Sequence, residues 1–403
     1  MGAISIQNGD STNLAASARG ALVAAATRLA VPFADRADAI DRDGGWPDAE
    51  LAALDAAGLL AAPLPARLGG ASLGMTANDP ESHGSTIALL RVLAEVGRGN
   101  LAVGRLYEGH VNALLLIRLF AAEARLAAWA VDCRRGQIFG VWNTQTTEGL
   151  RQADGPATGL VELRGCKTFA SGAGRIGRPV VTAQRHDGSW QMVVVPAERV
   201  TFDVDTSRWQ PLGMRATASH HVRFDGARLD AEGCLLGVPG DYYREPWFSS
   251  GAIRFAAVQW GGARALLDAT VRTLRELGRT DDPYQRARVG SMAVAIESGR
   301  QWLRAAAEVA DGVVDAGDRR AVGRSIAHAQ MTRTAVESLC QEVLRLAEQS
   351  VGARGLLRPH PIERIGRDLP LYLRQPGPDV SLAQVGRACL EEETPAATFD
   401  LQA

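Results

Sequence analysis

Lysine is almost absent from this chain. Of the 44 basic residues among 403, one is lysine, Lys167, and the rest are arginine. The arginines are spread over the whole length, and 45 acidic residues balance them to a net charge of −1. No basic field of the kind that holds nucleic acid or anionic lipid is left. Cysteine is scarce too: Cys133, Cys166, Cys234, Cys340 and Cys389 are odd in number, far apart and without a C-x-x-C pair. That pattern excludes a disulfide framework and a cysteine zinc site, and no His, Asp and Glu set has ligand spacing, so no metal is expected. Free thiols fit a reducing, cytoplasmic setting. The first twenty residues lack a basic stretch leading into an apolar one, so no secretory signal is expected. No apolar run reaches the roughly 20 residues that span a bilayer. The best stretch, 114–130, is broken by Arg118, Glu123 and Arg125.

What is present is a globular composition, 46% hydrophobic and 22% charged, at a length that suits two or three domains. From about 15 to 135 apolar residues recur at helical spacing, as in Leu51, Leu54, Ala57 and Leu59, then Leu89, Leu90, Leu93 and Val96. Gly69-Gly70 and Asn78-Asp79-Pro80 read as turns between these helices. Near Gly136 the texture changes to short β-branched runs. Val180-Val181-Thr182 and Trp190–Val195 flank an Asp187-Gly188 turn, a hairpin signal. His220–Phe224 is a further strand, closed by Asp225-Gly226. Helical periodicity returns near Gly251 and runs to about Glu348, with breaks at Gly278–Pro283 and Asp315–Asp318. The expected architecture is therefore α+β, in three parts: an N-terminal helical domain over 1–135, a β-barrel-like domain over 136–240, and a C-terminal four-helix-bundle domain over 241–403.

Several segments together resemble the acyl-CoA dehydrogenase superfamily, over about 20–390. They are Asp41–Pro47 with Ala57-Gly58-Leu59-Leu60 and Pro65–Gly70, then Leu212–Ser219 with Val222–Leu229 and Leu235-Leu236-Gly237. The run Gly165-Cys166-Lys167-Thr168-Phe169-Ala170-Ser171-Gly172 is similar to the family's N-G-x-K-x-[WF]-I-[TS] strand, with Arg164 for the asparagine. The resemblance implies an FAD-dependent oxidoreductase, a homodimer or homotetramer, with the flavin between the β domain and the C-terminal helices. Phe169 would then cover the flavin ring and Ser171 would meet its N5/O4 edge. Trp142, Asn143 and Thr144 stand where the family has its T-E-P-x-A-G-S-D flavin loop, although the Pro and the Gly-Ser-Asp are gone. Gln349-Ser350-Val351-Gly352-Ala353-Arg354-Gly355 resembles the family's Q-x-x-G-G-x-G motif, so Gln349, Gly352 and Ala353 would receive the adenine half of an FAD held by a neighbouring subunit. Arg275 or Arg279 would supply the family's flavin arginine.

The family's base is missing. Most members carry a glutamate in a run R-D-x-x-x-x-x-x-Y-E-G-T, and here Arg367-Asp368 leads to Pro376 at that place. A minority carry it at the start of the first C-terminal helix, where this chain has Phe248–Arg254 and no acid in register. Asp379 on a Pro-Gly-Pro loop is the leading substitute, with Glu245 and Glu148 behind it. Arg254 and Arg374 are candidates for an anionic substrate group, and His110 lies in a stretch the family uses beside its active site. The resemblance thus implies α,β-dehydrogenation of an acyl thioester, such as a CoA-linked acyl group, or a related acyl substrate, passing electrons to an acceptor flavoprotein. The alternative is a monooxygenase on the same fold, using reduced flavin from a reductase and O2, which needs no such base. Lys167, the one lysine, falls in the strand that resembles the flavin wall, where a compact ammonium and a planar guanidinium are not interchangeable.

Overall fold

In the computed structural model the described residues are 7–74, 80–155, 157, 159–313, 317–391 and 393. Side chains of these residues are described from residue 16 onward, Pro80 excepted. Asn78-Asp79 of the expected second turn and Asp315 and Ala316 of the second helix break lie outside them. The chain runs helices, sheet, helices, in the expected α+β order. Five helices come first: α1 (Gln7–Asp43), α2 (Asp48–Ala56), α3 (Thr86–Gly99), α4 (Leu101–Phe120) and α5 (Glu123–Arg134). Asn100 ends α3 and caps α4, its Oδ1 accepting from the amides of Ala102 and Val103 at 2.9 and 3.3 Å.

The middle block is β1 (Phe139–Trp142), β2 (Arg151–Asp154), β3 (Leu160–Ala170), β4 (Arg178–Gln184), β5 (Trp190–Val194), β6 (Asp203–Asp205) and β7 (His220–Asp230), then the short α6 (Ala231–Cys234) and β8 (Leu235–Leu236). They form one mixed sheet in the order β6-β7-β3-β2-β4-β5-β8, with β1 parallel to β4. The Asp187-Gly188 turn joins β4 to β5 as expected. Gly226 does not close β7. Its φ of +80° makes a bulge at the register shift opposite Leu163 and Arg164, and the strand continues to Asp230. One sheet face has its own core, including Trp142, Leu163, Val181, Val193, Val222 and Phe224. The other packs Phe139, Val180, Met192 and Val194 on Leu114, Ile117 and Trp129 of α4 and α5.

The last block is α7 (Gly251–Glu276), α8 (Pro283–Asp311), α9 (Arg319–Val351), α10 (Pro361–Tyr372) and α11 (Pro378–Leu390). Gly278 and the Asp282 cap with Pro283 at the helix start make the break that the sequence signals. The two helical blocks share a single core, in which Leu89, Val92 and Val96 of α3 meet Val258, Ala329 and Leu346. Glycine permits the crossing of α3 and α7. A Cβ at Gly97 would stand 2.4 Å from the Val258 carbonyl oxygen, and one at Gly261 would stand 2.2 Å from that of Ala94. Helix α4 packs against β1, the 215–217 turn, α7 and α10.

Candidate functional site

The sheet wall is built by a distortion in β3. Its register with β7 shifts between Lys167 and Ala170, and Phe169 takes a left-handed φ of +50°. A bulky residue adopts that conformation only where its surroundings impose it, and such strain gathers at functional sites. The result is that Phe169 leaves the ladder and stands 50% exposed, edge-on to Trp209. The segment 144–149 lies beside β3, with the Thr168 and Cys166 amides donating to the Thr144 and Glu148 carbonyls at 2.9 Å.

Ser171 is gripped twice. Its carbonyl accepts from the indole of buried Trp142 at 3.0 Å. Its hydroxyl lies 2.8 Å from that of Ser219, which lies 2.8 Å from that of Thr217, which donates to the Met214 carbonyl. That last bond orients the whole chain. Thr217 has spent its proton, so Ser219 donates to Thr217 and Ser171 donates to Ser219. Ser171 therefore offers lone pairs, not a proton, to whatever lies beyond it.

Lys167 is fully buried beneath this wall. Its ammonium donates to the Asn143 carbonyl at 3.1 Å, to Gln145 Oε1 at 3.2 Å and to Thr182 Oγ1 at 2.9 Å. Thr182 in turn donates to Asn143 Oδ1 at 2.7 Å. Three N–H groups meet three acceptors, all tied to the loop that holds Asn143 and Thr144. Burial pushes the Lys167 amine down to about 7.

The second part of the site is a polar cluster on α4. Arg105, Glu108 and Asn112 fall at i, i+3 and i+7, on one helical face. Glu108 is fully buried, accepts from Arg105 at 2.9 Å and is bonded by Asn112. Asn112 Oδ1 accepts from Arg254 Nε. Arg105 also reaches Gln375 Oε1 at 3.3 Å and lies over the Phe255 ring, which packs on Tyr372. Burial raises the Glu108 carboxyl against the pull of Arg105 and Arg254, and it lowers Arg254 to about 10, still charged at neutral pH. The Tyr372 hydroxyl is buried with no hydrogen-bond partner. A buried orphan of this kind costs about 1–3 kcal/mol. The Tyr243 hydroxyl donates to Asn143 Oδ1 at 3.4 Å, and its ring packs edge-on against Tyr242.

The segment in which the resemblance would put the base is locked in place. Gln259 Nε2 donates to the Tyr372 and Gln375 carbonyls, both at 2.9 Å. Fully buried Arg333 donates to the Pro376 carbonyl at 2.9 Å. The preceding Arg367-Asp368 pair is a clasp: Arg367 binds Asp41 and the Leu212 carbonyl at 2.6 and 2.7 Å, while Asp368 accepts from the Met214 amide.

The structure gathers some of the expected residues and disperses others. Trp142, Asn143, Thr144, Phe169 and Ser171 come together at the wall, and Arg254 enters the α4 cluster. Arg374 does not: it lies on the surface, 3.6 Å from both Glu337 and Asp379. The side chain of Asp379 is 94% exposed at the start of α11. Glu245 holds the Ser249 amide and hydroxyl, and exposed Glu148 pairs with Arg223. His110 is a packing residue: Nε2 donates to the Leu60 carbonyl at 2.9 Å, Nδ1 accepts from the Phe139 amide at 3.0 Å, and burial takes it down to about 4. Arg275, Gln349, Gly352 and Ala353 are exposed at the end of the bundle where α7 and α9 finish, and Arg279 pairs there with Asp282 at 2.7 Å. Sequence reasoning missed Glu108, Arg105, Asn112 and Tyr372. The available signal was three polar residues on one face of an otherwise apolar helix. Among the described residues no cluster has metal-binding composition, and no helix is long and apolar enough to cross a membrane.

Residues 242–388 match the family described as acyl-CoA dehydrogenase, C-terminal domain. The chain is 26% identical over 403 aligned residues to a probable FMNH2-dependent monooxygenase, SfnC, of Pseudomonas putida, covering 94% of this chain and 96% of that protein. It is 26% identical over 385 residues to cyclohex-1-ene-1-carbonyl-CoA dehydrogenase of Geobacter metallireducens, covering 89% and 94%. FMN-bound TdsC from Paenibacillus sp. A11-2 superposes with a TM-score of 0.81 at 23% identity, over 91% of this chain and 96% of that one. Relatives of both kinds are flavin-dependent oxidoreductases, and a flavin enzyme is what the wall fits: an exposed aromatic face, a loop backbone and an oriented hydroxyl edge.

Proposed function

We propose that this chain, a member of the acyl-CoA dehydrogenase superfamily and a flavin-dependent oxidoreductase, is a monooxygenase that takes reduced FMN from a separate reductase together with O2. The observation that carries the reading is the fate of the base. At its usual place stands Pro376, immobilised by Arg333. The substitutes are spent or turned away: Asp379 faces solvent, Glu245 caps a turn and Glu148 pairs with Arg223, while the buried carboxylate of Glu108 is held by Arg105 and Asn112. An oxygenase needs no carboxylate to remove an α-proton, whereas dehydrogenation of a thioester does. The likeness to SfnC supports the same reading.

Phe169 would cover the ring, the Asn143 and Thr144 backbone would hold its pyrimidine side, and Ser171 would meet its N5 edge. When bound, the reduced flavin supplies two electrons to O2, so that one oxygen atom passes to the substrate and the other leaves as water. The hydroxyl chain through Ser219 and Thr217 makes Ser171 an acceptor, suited to a flavin edge bearing N–H, which is the reduced form. FMN rather than FAD is supported by the loss of the Gly-Ser-Asp in the flavin loop and by Ala353 in the dinucleotide-like motif, and by relatives named for FMN.

Two measurements test this. Anaerobic mixing of the flavin-loaded protein with a panel of acyl-CoAs is expected to leave the flavin oxidised, while NADH and a reductase drive O2 uptake; bleaching by an acyl-CoA would restore the dehydrogenase. Ser171→Ala is expected to lower the preference for reduced over oxidised flavin about fivefold.

A further inference from the structure

We propose that the cavity between α3, α9 and the start of α7 is a binding site for one compact monoanion, held by Arg254 and Ser325. The inference stands apart from the monooxygenase reading. Four observations on this one cavity carry it.

The first is space. Arg254, Ser250, Thr86 and Ser325 share the lining of a cavity of about 20 Å3, with apolar wall from Leu89 and Ile253. One water-sized centre needs about 10–15 Å3. The room therefore suits a group of one to a few heavy atoms and rejects a bulky one. The second is charge. Arg254 is the one charged residue of the lining. Glu108 acts on it from a distance only, because that carboxylate is held by Arg105 and Asn112. Asp311, next after the lining residue Ala310, is turned onto the start of α3, where it accepts from the Thr86 amide at 3.3 Å and from the Thr86 hydroxyl. A cation in a small cavity without a paired carboxylate is costly, and a bound anion removes that cost.

The third is direction. Arg254 commits Nε to Asn112 of α4, and among the described residues its two terminal nitrogens meet no acceptor. Nη2 lies over the first turn of α7, 3.6 Å from the place a Cβ on Gly251 would take and next to the lining residue Ser250. Free terminal nitrogens are the fork that matches an oxyanion. The fourth is a spare proton. The Ser250 hydroxyl donates to the Trp247 carbonyl at 2.8 Å, and that of Thr86 donates to Asp311. Ser325 is 5% exposed, and among the described residues its hydroxyl meets no acceptor. The lining thus holds one unpaired cation and one uncommitted hydroxyl, a donor set without an acceptor of its own.

The test compares formate with formamide, a neutral molecule of the same shape, on the full chain as purified. Affinities are read from the rise of melting temperature with concentration, at constant ionic strength kept with sodium gluconate, whose anion is too large for the cavity. Formate is expected to bind at least tenfold more tightly than formamide. Arg254→Gln is expected to erase the preference. Ser325→Ala, which removes one small hydroxyl and keeps the fold, is expected to lose about fivefold in formate affinity and nothing for formamide. Equal response to the two probes, response to neither, or formate binding unchanged in Ser325→Ala would overturn the site. Benzoate distinguishes the sources of the anion. Competition with formate assigns it as the head of a larger acid, and lack of competition assigns it as a free small anion.

Discussion

Two cations, Lys167 buried under the sheet wall and Arg254 half-buried beside α4, have solved the same problem in opposite ways. Neither has a carboxylate within salt-bridge distance among the described residues. Lys167 is closed: its three donors meet three neutral oxygens, two on the loop it supports and one on Thr182 of β4. Arg254 is open: its Nε is used on Asn112, and among the described residues its two terminal nitrogens meet no acceptor. A saturated cation braces a wall, and an unsaturated one waits for a partner. The distinction between scaffold and binding site can be read from donor accounting, without any ligand.

The largest expected effect comes from breaking the closed site. Lys167→Arg puts a longer, planar group where a compact ammonium fits three acceptors, so it overpacks and leaves acceptors unmatched. A loss of about 3 kcal/mol is expected in denaturant unfolding, together with loss of bound flavin. Unchanged stability and flavin content would make the lone lysine an accident of codon usage. The pH dependence sharpens the point. The folded-state pKa of Lys167 lies near 7, below the ordinary value of 10.5, so between these limits the unfolded chain binds the extra proton. Stability contributed at this position therefore rises with pH across that window, by about 1.4 kcal/mol per pH unit at most. Comparing wild type with Lys167→Met from pH 7 to 10 is expected to show the difference moving in favour of wild type.

The open site responds in binding before it responds in stability. Glu108→Gln keeps the volume and removes the one negative charge. Formate affinity is expected to rise about tenfold while the protein melts at a lower temperature, because two guanidiniums then face each other unbalanced. A fall in affinity would mean that the carboxylate, not the cations, recognises the ligand.

The legible parts of this architecture are the ones that use local chemistry. The Asp187-Gly188 hairpin, the Gly278–Pro283 break and the three-block order are written in turn residues and periodicity. That Phe169 and Ser171 share one strand end was readable because the motif around them persists, although the left-handed φ that exposes Phe169 was not. The α4 cluster was hidden because its members lie far apart in sequence, in α4, at the start of α7 and at the end of α10, and only packing joins them. His110 drew attention as the chemically conspicuous residue of its stretch, yet its two nitrogens are consumed by backbone. Asp379 drew attention by elimination, and the loop turned it to solvent. In each case a residue's type was visible and its unused bonding capacity was not.

The smallest effect is the most diagnostic, because it sets a bonded hydroxyl against an unbonded one. Thr182→Val is nearly isosteric and strips the closed site of an oxygen that both accepts from Lys167 and donates to Asn143. It leaves a buried ammonium donor and a buried carbonyl oxygen short of a bond, and a loss of about 2 kcal/mol is expected. Tyr372→Phe removes a buried hydroxyl that bonds to nothing. It removes a desolvation cost and no interaction, so stability is expected to stay level or rise by up to about 1 kcal/mol. Parallel thermal unfolding of the two variants measures the contrast directly. Equal losses would mean that Tyr372 is satisfied within the protein, and the two hydroxyls would then no longer differ in kind.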